Sequence, residues 1–303
     1  MTDSRSSDPT PSSTETTTQG GVRYETPAPG VARVVLARPE RRNAQDLALL
    51  YALNDAFDRA AQDDDVRVII LAADGPHFSS GHDLQETSSP DDFDLVGTWG
   101  GSSLPGAEGY MAKEQEIYLG FCWRWRNIPK PMIAQVHGKT IAGGLMLIWV
   151  CDLIVASEES TFSDPVVAFG VNGVEYFAHP WEVGARKAKE MLFTGEPIGA
   201  QEAHLRGMVN RIVARDSLAA ETLSLAEHIA QRPSMGLKLA KMSVNQTQDA
   251  QGMWNSLQAA MSLQQLGHSH NQQVHGMSVD PDGARIIRDQ ARAARGGPTS
   301  ETE

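Results

Sequence analysis

The sequence predicts an α/β fold with a largely parallel sheet, and three observations favour it. Short β-branched segments alternate with segments in which apolar residues recur at spacings of three and four, the pattern of right-handed βαβ units. The chain has 303 residues, of which 41% are hydrophobic, enough for a sizeable core. Beyond the last predicted strand the pattern becomes helical. We therefore expect one α/β core followed by a helical region.

Composition argues against several classes of function. Lys and Arg number 26 against 38 Asp and Glu, so the formal net charge of −12 disfavours binding to a nucleic-acid backbone or an anionic membrane. No apolar run reaches the ~20 residues of a membrane span, and the first residues lack an apolar signal segment, so we expect a soluble cytoplasmic protein. The two cysteines, Cys122 and Cys151, support neither a disulfide framework nor a zinc cluster.

The first part of the chain predicts a tail, a strand and a helix. Residues 1–20 are mostly Ser, Thr, Pro and acidic and predict a disordered tail, as do residues 296–303. Val31 to Ala37 is a β-branched strand that Arg38-Pro39 stops. Asn43 is the expected N-cap of the next helix. The apolar face of that helix is formed by Leu50, Leu53, Phe57 and Ala60.

The middle of the chain alternates strands with helices. Val66 to Ala72 is a second strand with apolar residues on both faces, as buried parallel strands require. Residues 86–109 are rich in Ser, Gly, Pro and Asp and predict a mobile surface loop. The remaining predicted elements of the core are a helix over Lys113 to Arg126, a strand over Met132 to His137, a helix over Leu145 to Val150, a strand over Cys151 to Ala156 and a short strand near Met208 to Val213.

Two glycine-containing turns carry the chemical signal. FSSGHDL, at 78–84, follows a buried strand, and HGKTIAGG, at 137–144, runs from a strand into a helix. Small residues let backbone N–H groups approach a ligand, and a helix N-terminus adds partial positive charge. Two such groups that converge would form an oxyanion hole. The alternative is that the glycines serve only tight turns, and for either motif alone that interpretation is favoured.

In combination, these motifs resemble the crotonase (enoyl-CoA hydratase/isomerase) superfamily over about residues 22–245. Phe193 to Val213 is similar to the segment with which that family joins its core to its C-terminal helices. The motifs of the resemblance, in chain order, are Arg38-Pro39, Asn43-Ala44, FSSGHDL, HGKTIAGG and Cys151-Asp152-Leu153.

The resemblance implies a fold, an assembly and a ligand. The fold would be a ββα superhelix with two roughly perpendicular sheets, its core over residues 21–215. Residues 216–295 would form a C-terminal helical region that mediates trimers or dimers of trimers. The ligand would be an acyl-CoA thioester whose enolate-like oxygen the site stabilises. No cofactor is expected beyond the coenzyme A of the substrate, and no metal.

The resemblance also assigns residues to that ligand. The two oxyanion donors fall on the backbone N–H groups of His82 and Gly143. Arg41, Arg42 and the backbone of Ser80 are the candidates for holding coenzyme A, whereas a lysine common in the family is replaced by Gln85. The alternative for the two arginines is a solvated helix entry.

The sequence departs from the hydratases at both catalytic glutamates. Met146 and Val166 occupy those positions, and neither can move a proton. We therefore assign them, with Trp99, to the acyl pocket. Standard hydration through a pair of glutamates is not expected.

Two other carboxylates could act instead. Glu175 follows a glycine-led turn, as the single base of family isomerases does, and its alternative role is an ordinary ion pair with an arginine. Asp164 precedes Pro165 and has the alternative role of a turn or cap residue. The side chains of His82 and His179 could also serve as bases.

These assignments predict an acyl-CoA enzyme of the hydratase/isomerase type with one-base, isomerase-like or other non-standard chemistry. The alternative is a catalytically silent acyl-CoA binder or assembly subunit, which the loss of both glutamates also fits. The acidic residues Glu86, Asp91, Asp92 and Asp94 predict that the loop after the first turn controls substrate access. His268, His270 and His275 predict a polar helix end rather than a metal site.

Overall fold

The computed structural model describes residues 17–293. In chain order its strands are β1 Thr17–Gln19, β2 Val22–Ala28, β3 Val31–Leu36, β4 Val68–Ala73, β5 Met132–Val136, β6 Lys139–Ile141, β7 Leu153–Ser157, β8 Thr161–Ser163, β9 Ile198–Gly199 and β10 Arg211–Val213. Its helices are α1 Leu47–Gln62, α2 Gly106–Glu114, α3 Phe121–Arg126, α4 Gly143–Trp149, α5 His179–Val183, α6 Ala185–Thr194, α7 Ala200–Leu205, α8 Leu218–Ala230, α9 Ser234–Ala250, α10 Met253–His275 and α11 Gly283–Ala293.

The strands form two sheets. The larger has the order β1-β2-β3-β4-β5-β7-β10, and the smaller has the order β6-β8-β9. The five strands expected from the sequence are β3, β4, β5, β7 and β10, and they pair in parallel as predicted. β1 and β2 extend the larger sheet in the antiparallel sense.

The larger sheet is covered on both faces. One face packs on α1, α3 and α4, with Leu53, Phe57 and Trp125 fully buried. The other face packs on α8 through Leu218, Leu225 and Ala226. Burial on both faces explains why the central strands are continuously apolar.

Two local expectations were wrong. Asp46, not Asn43, caps α1, and its side chain accepts a hydrogen bond from Leu49 N–H. Asn43 has a φ of 51° and is fully buried, and its Nδ2 donates to the carbonyls of Asp74 and Phe78 instead. The tail expectation also fails at 17–20, because β1 forms a backbone ladder with β2 that needs no apolar side chains. The expectation of disorder for 1–16 and 296–303 lies outside the described residues.

The expected surface loop is partly structured. It contains a 3₁₀ turn at Pro90–Asp92, and α2 begins within it at Gly106. Glu116 accepts hydrogen bonds from Val96 N–H (2.6 Å) and Gly97 N–H (2.8 Å), which holds the loop against the next helix.

That helix starts earlier than expected and is not a regular α-helix throughout. α2 continues into α3 through a π-helical turn at Gln115–Gly120. Such turns re-aim side chains and are frequent at functional sites. Across the described part of the chain, no helix is both long and apolar enough to span a membrane.

Candidate active site

Three chain segments meet at the two glycine turns. Gln45 and His82 form a parallel bridge, and Ser79 and Thr140 form another. Gln45 N–H donates to the Gly81 carbonyl (2.8 Å), and Ile141 N–H donates to the Ser79 carbonyl (3.0 Å). The turns predicted from the sequence are therefore adjacent in space.

The backbone N–H groups of His82 and Gly143 belong to these two adjacent turns. Within residues 17–293 neither donates a hydrogen bond to a protein acceptor. Gly81 has a φ of +90°, and a Cβ there would lie 3.2 Å from Gly143 N, so the two turns are in contact. Ala142 has a φ of 49°, a conformation that non-glycine residues rarely adopt, immediately before Gly143 begins α4. Such strain often accompanies a functional turn.

Glu175 is hydrogen-bonded to His82, not to an arginine as the alternative had it. His82 Nε2 lies 3.0 Å from Glu175 Oε2, and Glu175 is only 5% exposed. Tyr118, on the π-helical turn, stacks on the His82 ring with centroids 3.9 Å apart. Burial opposes a charge on His82, but the Glu175 carboxylate outweighs it and raises the pKa of His82.

Asp164 lies behind the pocket wall. It is fully buried and accepts hydrogen bonds from Val166 N–H (3.2 Å), Val174 N–H (3.1 Å) and His179 Nε2 (2.8 Å). His179 is fully buried as well. The pair joins the segment after β8 to the loop that carries Glu175, which agrees with the alternative role of Asp164 as a turn residue.

A pocket of about 380 Å³ opens beside Glu175. Of the three residues assigned to an acyl pocket, Val166 lines this cavity, whereas Met146 and Trp99 do not. Met146 is 1% exposed because α4 is buried on all sides, and Trp99 is 52% exposed on the loop that Glu116 holds. The walls are mainly apolar and include Leu84, Ile141, Val166, Phe169, Val171 and Val174.

The C-terminal helices complete the pocket, a contribution that sequence reasoning missed. Ala284, Ile287 and Arg288 of α11 line it. Asp280 N–H donates to the Phe169 carbonyl (2.9 Å) and fixes the chain just before α11. The three lining residues have the i, i+3, i+4 spacing of one helix face, and this spacing in the sequence was the available sign that they share a surface.

His268 of α10 also lines the pocket and does not belong to a polar helix end. Its Nε2 lies 2.9 Å from Glu114 Oε1, and its Nδ1 lies 2.7 Å from the Ser278 carbonyl oxygen. Burial lowers the pKa of His268, but Glu114 outweighs it and raises the pKa to about 9. Within residues 17–293 no cluster of three or more His, Cys, Asp or Glu has the geometry of a metal site.

The predicted coenzyme A residues differ in their surroundings. Arg41 is engaged by Asp83 (2.9 Å) and Gln85 (2.9 Å). Arg42 and Ser80 line a small cavity of about 220 Å³ together with Lys139 and His77. Burial, and then the charges of Lys139 and Arg42, lower the pKa of His77, which indicates local positive charge. Ser80 and Ile141 line both cavities, so the two adjoin.

Most of the acids in the loop after the first glycine turn are hydrogen-bonded within the protein. Glu86 accepts a hydrogen bond from Leu47 N–H (2.6 Å), Asp92 from Ser89 N–H (2.8 Å) and Asp91 from the Ser102 hydroxyl (2.6 Å). These bonds direct three of the four carboxylates toward backbone and hydroxyl donors.

Known proteins are similar to this chain in sequence and in architecture. The profile of the enoyl-CoA hydratase/isomerase family matches residues 26–97 and 106–279. EchA13 of Mycobacterium tuberculosis is 46% identical over 263 residues, which cover 84% of this chain and 83% of the relative. Human enoyl-CoA hydratase domain-containing protein 3, mitochondrial, is 37% identical and covers 73% of this chain and 69% of its own.

A solved structure agrees with these matches. That of a probable enoyl-CoA hydratase from Mycobacterium smegmatis superimposes with a TM-score of 0.77 at 47% identity, covering 86% of this chain and 99% of its own. The sheets, the adjoining glycine turns and these matches lead to one conclusion: the chain belongs to the enoyl-CoA hydratase/isomerase family.

Proposed function

We propose that this enzyme binds an acyl-CoA thioester and moves a proton along its acyl group with Glu175 as the single base. The observation that carries the proposal is the position of Glu175. Its carboxylate lies in an apolar pocket beside the turns that present the His82 and Gly143 N–H groups. His82 engages Oε2, which leaves Oε1 for an acyl proton.

The backbone N–H groups of His82 and Gly143 bind the thioester oxygen. When Glu175 takes a proton from the acyl chain, the C–H electron pair moves into the enolate and negative charge develops on that oxygen. Donors already aimed at the oxygen stabilise this charge without reorganising. Glu175 then returns the proton to another carbon, so the double bond migrates and the atoms balance.

Isomerisation is favoured over hydration because the positions of both hydratase glutamates lack a titratable side chain. Val166 lines the pocket but cannot hold a proton, and Met146 lies in the core. A solved relative titled a monofunctional enoyl-CoA isomerase, from M. smegmatis, has a TM-score of 0.59 and 26% identity, and covers 79% of this chain and 94% of its own. That likeness supports isomerisation.

The coenzyme A phosphates bind at the small basic cavity. Arg42 and Lys139 supply the charge and the Ser80 backbone supplies a polar contact. The adjoining apolar pocket takes the acyl group. Arg41 is less suited to a phosphate because Asp83 and Gln85 already hold its guanidinium.

The chain assembles as a trimer or a dimer of trimers. Helices α9 and α10 expose apolar side chains that a second copy would cover. They are Met235, Leu239, Met242, Val244, Leu263 and Leu266.

The decisive variant is Glu175→Gln, which keeps the hydrogen-bonding shape but cannot accept a proton. With 2-enoyl- and 3-enoyl-CoA thioesters in D₂O, we expect turnover and deuterium uptake into the acyl chain to fall about 10²–10⁴-fold. Affinity for the thioester should stay nearly unchanged.

Glu182→Gln is the matched control. Glu182 is a second glutamate whose pKa is raised to about 8 by burial, but it faces a different cavity. This variant should keep full activity. If no thioester turns over and Glu175→Gln changes nothing while binding persists, the chain is a silent acyl-CoA binder.

A further inference from the structure

Gln45 lies beside His82 and is not part of the base and donor set described above. It is 1% exposed. The two residues pair in a parallel bridge, in which Gln45 N–H donates to the Gly81 carbonyl and Asp83 N–H to the Gln45 carbonyl (2.9 Å). Paired residues in such a bridge direct their side chains to the same side. Gln45 therefore accompanies the His82 imidazole toward Gly143.

Two buried polar atoms without a hydrogen-bond partner meet there. They are Gln45 Oε1 and His82 Nδ1. A Cβ on Gly143 would lie 2.8 Å from His82 Nδ1 and 2.9 Å from Gln45 Oε1, so both atoms border the hollow left by the missing side chain. An orphaned donor and acceptor around one hollow are suited to each other, directly or through one water.

The orientation of the Gln45 amide is fixed by Ser79. The Ser79 hydroxyl donates to the Asn43 carbonyl (2.8 Å), so its oxygen is an acceptor for Gln45 Nε2 (3.4 Å). The amide nitrogen therefore points to Ser79, and the amide oxygen points to the hollow.

An acceptor therefore engages Nε2 of His82, and a second acceptor borders the same hollow as Nδ1. The Glu175 carboxylate can only accept at Nε2, and the Gln45 oxygen can only accept at Nδ1. We propose that Gln45 is a positioning residue whose Oε1 holds the Nδ1–H of His82, and that it thereby keeps His82 as an imidazolium beside the thioester oxygen.

The consequence for the reaction is twofold. The imidazolium keeps its Nε2–H on Glu175, which fixes the carboxylate for proton abstraction. Its positive charge also lies next to the place where the enolate oxygen forms, which lowers the barrier electrostatically. The inference rests on the proposed function for this role, but the protonation state of His82 can be measured without any turnover.

Other charged groups act on His82 and stay in place when Gln45 is changed. They are Glu175 at Nε2, Glu114 at the end of α2 and Asp164 after β8, with Tyr118 stacked on the ring. A change in the titration of His82 on mutation of Gln45 alone is therefore due to the lost acceptor.

The test is ¹⁵N NMR of the full chain with labelled histidine. His82 is assigned among the nine histidines by the signals that vanish in His82→Gln. Gln45→Met keeps the length of the side chain but removes the acceptor, and we expect the His82 midpoint to fall by about one pH unit. Gln45→Glu supplies a stronger acceptor and should raise it. Gln135→Met is the control, because Gln135 also has an orphaned Oε1 but does not line the pocket.

Activity gives the second readout. Gln45→Met should lower kcat about 10-fold with little change in KM, and Gln45→Glu should restore part of it. An unchanged His82 midpoint in both Gln45 variants overturns the inference. If Gln45→Met does not fold, the midpoint in Gln45→Glu decides alone. If Glu175→Gln abolishes turnover but the pH midpoint of His82 is the same in the wild type and in both Gln45 variants, only this inference fails. If no substrate turns over but the midpoint shifts, only the proposed function fails.

Discussion

Position 143 needs a glycine because of the side chains around it. The backbone itself does not require one, since the φ of Gly143 is not positive. A Cβ at this position would lie 2.6 Å from His82 Cε1 and 2.9 Å from Gln45 Oε1. Real contacts are longer, so any side chain here must displace the imidazole or the amide. The imidazole carries the hydrogen bond to Glu175. A single methyl group would therefore disturb the contact between the two glycine turns and the carboxylate that we propose as the base.

We accordingly expect Gly143→Ala to lower kcat/KM for an enoyl-CoA by about 10²-fold or more, close to the loss of an oxyanion donor. Gly236→Ala is the control, because a Cβ at Gly236 meets nothing within 4 Å. Steady-state kinetics of both variants, with circular dichroism to verify folding, provide the measurement. If Gly143→Ala keeps full activity, the present positions of the His82 and Gln45 side chains are not required for turnover.

For individual residues, the sequence indicated which residue types form the site better than it indicated which residues contact each other. The glycines and Glu175 were identified from local motifs. The hydrogen bond between His82 and Glu175 joins residues 93 positions apart, so no local pattern could reveal it. Asp164 was also considered as a base because it lies two residues before Val166, the position of one hydratase glutamate. Its backbone donors become apparent only when the chain is folded.

At the scale of elements, the strands that could be predicted were those buried on both faces. Their β-branched, continuously apolar composition is a strong signal. β2 was missed because charged residues interrupt it, namely Arg23 and Glu25, which pair with each other (2.6 Å) on the face opposite the buried Val22 and Tyr24. A second sheet was expected from the resemblance, but its strands were not located in the sequence because they have only two or three residues.

The Glu114–His268 pair connects α2 with α10, and Gln265 Nε2 also donates to Glu114 (2.5 Å). Both pKa values are raised: that of Glu114 by burial, and that of His268 to about 9 by Glu114 against the effect of burial. Between its unfolded and native pKa values, each group therefore binds more protons in the native state than in the unfolded chain. The contribution of the pair to the free energy of unfolding falls as pH rises through this range.

The free energy of unfolding should consequently fall as pH rises from about 6.5 to 9, with a contribution from this pair on the order of 2 kcal/mol. Glu114→Gln should be less stable at pH 6.5 but show a flatter profile over this range. His275→Gln, on the same helix but away from Glu114, should keep the slope. Urea denaturation at several pH values measures this, and an equal slope in Glu114→Gln would contradict the role of the pair.

At the scale of the whole molecule, the C-terminal helices serve the pocket as well as any assembly. The sequence assigned them only to contacts between copies, since an apolar helix face does not reveal which surface covers it. In the fold, Ala284 and Ile287 of α11 line the apolar pocket beside Glu175 in their own chain. An acyl group bound there, as we propose, would be enclosed by both the core and the last helix.

The net charge of −12 has a consequence for binding a polyanion. The molecule as a whole repels coenzyme A, so in the proposed function the attraction comes from the local charges of Arg42 and Lys139. Salt screens both effects, and they oppose each other. Wild-type affinity for an acyl-CoA should therefore depend only weakly on ionic strength.

Removing the local cations should expose the repulsion. In Arg42→Gln/Lys139→Gln we expect the Kd for an acyl-CoA to rise about 10-fold or more at low salt, because roughly two charge-assisted contacts are lost. The affinity of this variant should then improve as salt is added, the opposite of an ordinary loss of ion pairing. An N-acetylcysteamine thioester of the same acyl group lacks phosphates and should bind both proteins alike.

Arg41→Gln is the matched control, and its effect should be small because Asp83 and Gln85 hold that guanidinium. Calorimetric titrations at about 20 and 500 mM salt separate these cases. If Arg41→Gln weakens binding as much as Arg42→Gln alone, the phosphates lie on the other side of the turn.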